Sequence, residues 1–279
     1  MGNILLRIAA FSDGNSGGNP AGVWIGDDLP SASQMQSIAA EVRFSETAFA
    51  TPAADAWRVR YFSPTVEVPF CGHATIALGA ALALRHGDQT FRLKLNNADI
   101  LVSGRCDGET IAAALQSPPT RSEFIGQSLQ KALLELFDYS ASDLNPKIPA
   151  AKIHAGADHA VLALLKRDAL ARMSYDFDRG RDLMQEAGLI TIALVTAEDP
   201  QTFHARNAFA AGGVLEDPAT GAAAAAFAGY LRDIDWPHGG AIDIVQGEDM
   251  GMRSLIRAEI GTAFGGSIRL SGTARIMND

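Results

Sequence analysis

Three side chains in this sequence of 279 residues stand where proton chemistry is possible: Glu46, His73 and Asp217. His73 belongs to Cys71-Gly72-His73-Ala74-Thr75, just ahead of the apolar run from Ile76 to Leu84. Asp217 belongs to Glu216-Asp217-Pro218-Ala219-Thr220-Gly221-Ala222, just ahead of the apolar run from Ala223 to Leu231. Glu46 sits in Ser45-Glu46-Thr47-Ala48-Phe49 among core-type neighbours, so its carboxylate is expected to leave a strand, starting near Ser45, in apolar company. Partial burial raises a carboxyl pKa, which suits the group to take up a proton and return it. A carboxylate, an imidazole and a second carboxylate suffice to move a proton from one carbon or oxygen to another. Cys71 is a fourth candidate, because a thiol at a helix N-terminus has a lowered pKa.

Each of these residues also has a plainer reading. Glu46 reads equally as a solvated strand-end or salt-bridge glutamate, and His73 as a helix-start histidine satisfied by a carbonyl. Asp217 reads as a charge that stabilises a helix N-terminus by ~0.3–1 kcal/mol, and Cys71 as a small buried side chain.

The elements around these residues come twice. Phe62 to Leu84 reads as strand, tight turn and helix, and so does Phe209 to Leu231. Placing Glu67 over Glu216 puts Gly72 on Gly221 and His73 on Ala222, at an offset of roughly half the chain. A weaker echo agrees: Gly18-Asn19-Pro20-Ala21-Gly22-Val23-Trp24-Ile25 resembles Gly156-Ala157-Asp158-His159-Ala160-Val161-Leu162-Ala163. A helix apolar on every side has no face for water and is expected at a domain centre. Its first turn presents backbone N–H groups and the positive end of a dipole, where an anion binds. If the two halves face each other, both helix starts hold one small carboxylate substrate.

The remaining pattern fits a mixed α+β chain. Short strands are expected at 4–11, 21–25, 57–62, 91–95, 100–103, 110–115, 189–197, 202–209, 241–246 and 255–260, with two more around Gly156. A helix over about 34–42, capped by Ser31 or Ser33, buries Met35, Ile38, Ala39 and Val42. Further helices are expected over 128–137 and within 168–187. Cys106 is read as an incidental residue of the turn Gly104-Arg105-Cys106-Asp107-Gly108. The adjacent prolines of Gln116-Ser117-Pro118-Pro119-Thr120 end any helix or central strand. The domains are therefore drawn as 1–117 and 118–265. The last stretch, about 266–279, reads as a strand pair and is a candidate to cross back to the first domain.

Asn19-Pro20, Ser45-Glu46-Thr47-Ala48-Phe49, Cys71-Gly72-His73-Ala74-Thr75 and Glu216-Asp217-Pro218-Ala219-Thr220-Gly221 occur in this order and spacing in the phenazine-biosynthesis-like proteins of the PhzF type, which the chain resembles over essentially its whole length. The resemblance implies the diaminopimelate epimerase-like fold: two similar domains, each a barrel-like, mostly antiparallel sheet around a buried central helix, with the active site between them. Enzymes of this type isomerise trans-2,3-dihydro-3-hydroxyanthranilate by proton shifts without a cofactor. The resemblance makes Glu46 the proton shuttle, assisted by His73 and Asp217. It places the N–H groups of Gly72, His73 and Gly221 on the substrate carboxylate, with Asn19, Ser45 and the position of Ala222 nearby. It also implies a homodimer. Two stretches depart from the family pattern. Ala222 stands where a serine is usual, and Gly251-Met252-Arg253-Ser254 stands where Gly-Arg-Pro-Ser is usual.

Composition narrows the function classes. Hydrophobic residues make up 47% and charged residues 20%, which describes a globular chain with ample core. The net charge of −9 argues against a nucleic-acid partner, because phosphate binding needs a basic surface. Two cysteines, Cys71 and Cys106, are too few for a disulfide framework, and no C-x-x-C or H-E-x-x-H spacing marks a metal site. There is no phosphate loop and no dinucleotide fingerprint, so no cofactor is expected. The apolar helices are shorter than the ~20 residues that span a bilayer. The start of the chain does not read as a signal peptide, and a cytoplasmic location is expected. Two further functions stay open: a two-thiol racemase of the same fold, for which Cys71 supplies one thiol, and a non-catalytic small-anion binder.

Overall fold

The structure, a computed structural model, describes residues 2–108 and 110–277. Met1, Glu109, Asn278 and Asp279, which the domain ranges above include, lie outside the described residues. The chain forms two units, Met1–Gln116 with Ser271–Asp279, and Ser117–Leu270.

In unit 1, strands β1 (Ile4–Ser12) and β2 (Asn19–Ile25) form an antiparallel pair. Helix α1 (Ala32–Val42) then carries the chain back, so that β3 (Thr47–Ala53) lies parallel to β2. Ser31 caps α1 in a capping box with Gln34, and Met35, Ala39 and Val42 are buried. Strand β4 (Ala56–Phe62) is antiparallel to β3, and the short β5 (Glu67–Val68) folds back on the end of β4. Helix α2 (Gly72–His86) follows, then β6 (Gln89–Lys94) parallel to β4, and β7 (Asp99–Asp107) and β8 (Thr110–Pro119), each antiparallel to its predecessor. Every residue of α2 from His73 to Ala83 is buried, against β1, β2, β3, β6 and β7. Ile76, Leu78 and Leu82 are fully buried, and each such side chain contributes about 1.5–3 kcal/mol. A Cβ at Gly104 would lie 2.2 Å from the Gly79 carbonyl oxygen, so glycine is what lets β7 lie flat on α2.

Unit 2 repeats this order after β9 (Arg121–Phe124) and α3 (Gln127–Leu136). Strands β10 (Ala151–His154) and β11 (Asp158–Leu164) form the antiparallel pair. Helices α4 (Arg167–Ala171) and α5 (Phe177–Ala187) lead to β12 (Thr191–Ala197), parallel to β11. Then come β13 (Thr202–Ala208), the short β14 (Glu216–Asp217), helix α6 (Gly221–Asp233), β15 (Ala241–Gln246) parallel to β13, and β16 (Ser254–Ile260) antiparallel to β15. Helices α3, α4 and α5 share a separate core with the sheet, including Leu133, Leu170, Met184 and Leu194. Helix α6 is buried from Ala223 to Leu231, against β9, β10, β11, β15 and β16. Strand β17 (Ser267–Ile276) enters unit 1 at Ser271 and pairs Ala274 and Ile276 with Ala10 and Ile8 of β1.

The chain is therefore α+β, and the two apolar runs are the buried helices their composition predicts. Four local expectations are corrected. Strand β3 begins at Thr47, not near Ser45, because Arg43 leaves α1 in the left-handed region (φ 63°) and the chain bends at Phe44 and Ser45. Strand β8 runs through Pro118 and Pro119; its pairing with β7 ends at Leu115, so the prolines owe β7 no N–H. Cys106 lies within β7 rather than in a turn, its N–H donating to Asp88 Oδ1 at 2.8 Å. The last stretch is one strand, β17, not a pair.

Candidate active site

In unit 1 the bend before β3 and the first turn of α2 bring four side chains together. Glu46 precedes β3, and its backbone carbonyl accepts the Gly22 N–H at 3.1 Å, which ties the residue to β2. Its carboxylate Oε2 stands 3.4 Å from His73 Nε2, with the two side chains 16% and 7% exposed. Ser45 Oγ lies 3.4 Å from the same nitrogen. Cys71 Sγ lies 3.4 Å from Nδ1 and 3.8 Å from Nε2 of His73. The Glu46 and Ser45 contacts with His73 are at the long limit for hydrogen bonds between nitrogen and oxygen.

The backbone under these groups is fixed from inside the unit. Cys71 is the N-cap of α2 and makes no side-chain cap, so the N–H groups of Gly72 and His73 are not taken by a capping side chain. Thr75 Oγ1 donates to the Cys71 carbonyl at 2.7 Å, which leaves the Tyr61 hydroxyl to donate to Thr75 Oγ1 at 2.7 Å. Burial pushes the Tyr61 phenol well above its usual range.

The donor atoms of Glu46, Cys71 and His73 all lie within 4.8 Å of one another. No C-x-x-C spacing announces this group; it joins Cys71-x-His73 to a glutamate from another element. The sulfur is nearly equidistant from the two ring nitrogens, so it lies off the lone-pair direction of either, and an ion shared by all three requires the ring to turn. As it stands, the arrangement suits proton exchange between a carboxylate and an imidazole.

In unit 2 the start of α6 is differently built. Asp217 is 7% exposed, and its Oδ2 accepts the Thr220 hydroxyl at 2.6 Å. Thr220 is the N-cap of α6 and makes no side-chain cap of its own helix. Gln246, at the end of β15, donates through Nε2 to the Asp217 carbonyl at 2.7 Å and to Thr220 Oγ1 at 3.1 Å, and accepts the Thr220 N–H at 3.2 Å. Gly247 follows with φ 74°, and a Cβ there would lie 2.7 Å from the Pro218 carbonyl, so a side chain would push the Asp217 loop outward. Next to this loop Glu216 pairs with Arg206 through two hydrogen bonds, 3.0 Å and 2.5 Å, both side chains buried.

The expected residues thus fall into two groups: Ser45, Glu46, Gly72 and His73 at the start of α2, with Cys71; and Asp217, Gly221 and Ala222 at the start of α6. Asn19 is buried at the start of β2, opposite Ala10 of β1. Of the departures from the family pattern, Ala222 is half-buried in the first turn of α6, and Met252 and Arg253 are half-buried just ahead of β16, Arg253 Nε lying 3.4 Å from Glu248 Oε1. The reading of the sequence missed Gln246, Asn207, Thr191 and His159, which form one hydrogen-bonded chain behind Asp217. They sit singly on β15, β13, β12 and β11, so no local motif joins them.

The model of the phenazine biosynthesis-like protein family matches residues 8–279. An uncharacterized isomerase of Deinococcus radiodurans is 31% identical over 234 residues, 81% of this chain and 75% of that protein. The trans-2,3-dihydro-3-hydroxyanthranilate isomerase of Pseudomonas fluorescens is 32% identical over 267 residues, 93% of this chain and 90% of that protein. Among solved structures, the Bacillus anthracis phenazine biosynthesis protein of the PhzF family aligns over 100% of this chain and 98% of its own, with a TM-score of 0.84 and 21% identity, a likeness of fold. Among the described residues, no helix is long and apolar enough to cross a membrane.

Proposed function

We propose, for a chain that belongs to the phenazine biosynthesis-like protein family, an isomerase that moves a proton between two atoms of one small carboxylate substrate without a cofactor. The observation that carries this reading is the Glu46–His73 contact, a partly buried carboxylate 3.4 Å from a buried imidazole at the open start of a buried helix. The substrate carboxylate binds the N–H groups of Gly72 and His73, where the helix dipole favours negative charge. Glu46, as the anion, takes a proton from carbon and returns it to another atom of the same molecule, so no electron is gained or lost. His73 orients Glu46 and shares the proton. Asp217 assists, and the N–H groups of Gly221 and Ala222 supply a second anion-binding turn. Alanine at position 222 offers no hydroxyl, so this turn binds through backbone alone. The assembly proposed with this site is a homodimer, which light scattering on the purified protein reads directly.

The contact between Cys71 and His73 favours one other reading, with the thiolate as the base. A two-thiol racemase needs a second cysteine across the substrate. Cys106 is held in β7, and burial pushes its thiol up, which makes it a poor partner. The test is a panel of small amino and hydroxy acids in D2O that includes trans-2,3-dihydro-3-hydroxyanthranilate. An isomerase transfers solvent deuterium to at least one member. Binding of panel members with no exchange into any of them is the behaviour of an anion binder and contradicts the proposal.

A further inference from the structure

In unit 2 two backbone groups dictate the orientation of every side chain between Asp217 and His159. The Gln246 amide faces the Thr220 N–H at one end and the Asp217 carbonyl at the other. A backbone N–H only donates and a carbonyl only accepts, so Oε1 must face the first and Nε2 the second. With Oε1 so placed, Asn207 has to present Nδ2 to it, at 3.2 Å, which turns Asn207 Oδ1 to the Thr191 hydroxyl, also at 3.2 Å. That spends the single proton of Thr191, so His159 has to donate Nδ1–H to Thr191 Oγ1, at 2.7 Å. At the other end Gln246 Nε2 donates to Thr220 Oγ1, and the Thr220 proton goes to Asp217 Oδ2.

Two donor chains thus meet at Gln246, one arriving from His159 at Oε1 and one leaving Nε2 for the Asp217 carboxylate. His159, Thr191, Asn207 and Gln246 are each at most 2% exposed. His159 Nε2 is buried without a hydrogen-bond partner, so the ring has one use here, as a neutral donor through Nδ1. A turned-over amide at Gln246 or Asn207 leaves buried donors facing donors, which costs about 1–3 kcal/mol for each unmade bond.

We propose that Gln246 is a positioning residue for the proton transfer. It holds the Asp217 carboxylate and the first turn of α6 in one arrangement, and the chain through Asn207 and Thr191 to His159 keeps its amide from turning over. This inference rests on the reading that Asp217 takes part in the reaction.

The test measures kcat and KM for deuterium exchange into the panel carboxylate that the wild-type chain turns over. Asp217→Asn sets the scale. Gln246→Glu keeps the shape but cannot donate to the Asp217 carbonyl, and it places a second carboxylate beside the first. Thr220→Val removes the donor to Asp217 without changing size, and Thr220→Ser restores it. Gln246→Glu and Thr220→Val are expected to lower kcat about ten- to a hundredfold, the effect of misplacing a reacting group, with KM changed less. Thr220→Ser stays within about threefold of wild type, the rescue that a merely structural role does not give.

If Asp217→Asn exchanges at the wild-type rate, the reading of Asp217 fails and takes this inference with it. If Asp217→Asn is impaired while folded Thr220→Val keeps the wild-type kcat, only the inference is overturned. If Gln246→Glu does not fold, the Thr220 pair decides: equal rates for Val and Ser contradict the proposal.

Discussion

In unit 1 helix α2 begins behind Cys71 with His73 touching Ser45, Glu46 and Cys71, whereas in unit 2 helix α6 begins behind Thr220 in a mesh of neutral amides and hydroxyls around one carboxylate. The scaffold under both is the same. Each unit runs antiparallel pair, crossover helix, parallel strand, antiparallel strand, short returning strand, buried helix. Each even carries an arginine–glutamate pair with two hydrogen bonds where the short strand meets its neighbour, Arg60–Glu67 and Arg206–Glu216. The filling differs. The Glu46–His73 contact of unit 1 is 3.4 Å and joins two titratable side chains, while the unit 2 contacts around Asp217 are 2.6–3.2 Å and, beyond that carboxylate, involve dipoles that do not titrate. On the proposed reading, the repeated frame carries a proton-moving end in one copy and a fixed electrostatic end in the other.

The largest difference should appear when the paired glutamates are neutralised. Arg206 and Glu216 are 11% and 5% exposed, so Glu216→Gln strands a buried guanidinium and is expected to cost about 3–5 kcal/mol in denaturant unfolding. A loss below about 1 kcal/mol would show that the carbonyls of Ala171 and Met173, which Arg206 also reaches, satisfy it alone.

Next in size is a pH effect centred on His159 in unit 2. Burial pushes His159 down to about 4 from an ordinary value near 6.5. Below pH 6.5 the unfolded chain binds a proton that the folded chain refuses, so this residue's contribution to stability is fully present above 6.5. It declines as the pH falls and levels off below 4, a total on the order of 3 kcal/mol. His159→Gln removes the titrating group, so its unfolding free energy should fall less steeply with pH between 6.5 and 4. An unchanged slope would mean that His159 is protonated in the fold.

Smaller effects follow. Ala222→Ser adds one hydroxyl donor at the start of α6 and is expected to tighten binding of a small carboxylate by ~0.5–1.5 kcal/mol, read by calorimetry. The unit 1 counterpart of the first change, Glu67→Gln, should cost about 1 kcal/mol or less, because Arg60 and Glu67 are 23% and 27% exposed. A cost equal to that of Glu216→Gln would erase the contrast between the units.

The apolar runs 76–84 and 223–231 were legible because an all-apolar helix has one place to go. The repeat followed from two short motifs, and the resemblance to the PhzF type brought Glu46, His73 and Asp217 forward together. What stayed hidden depends on three-dimensional register. The bend at Phe44–Ser45 follows from the left-handed Arg43, a conformation that arginine does not advertise. The prolines at 118–119 read as a break, yet they stand beyond Leu115, where the pairing with β7 has already ended. Gln246, Asn207, Thr191 and His159 come from four strands, and only the parallel and antiparallel pairings β11–β12, β12–β13 and β13–β15 set them in line. No spacing along the chain marks such a row.

The account stands most directly on Glu46. Glu46→Gln keeps the size and hydrogen-bonding shape of the side chain but cannot carry a proton. Solvent deuterium incorporation into the turned-over carboxylate should fall by at least about 10³-fold, the upper part of what one acid–base group contributes. Carboxylate binding and the unfolding midpoint should stay close to wild type, since the Gly22–Glu46 backbone bond is untouched. Exchange at near the wild-type rate in a folded Glu46→Gln protein would place the proton carrier elsewhere and contradict the assignment.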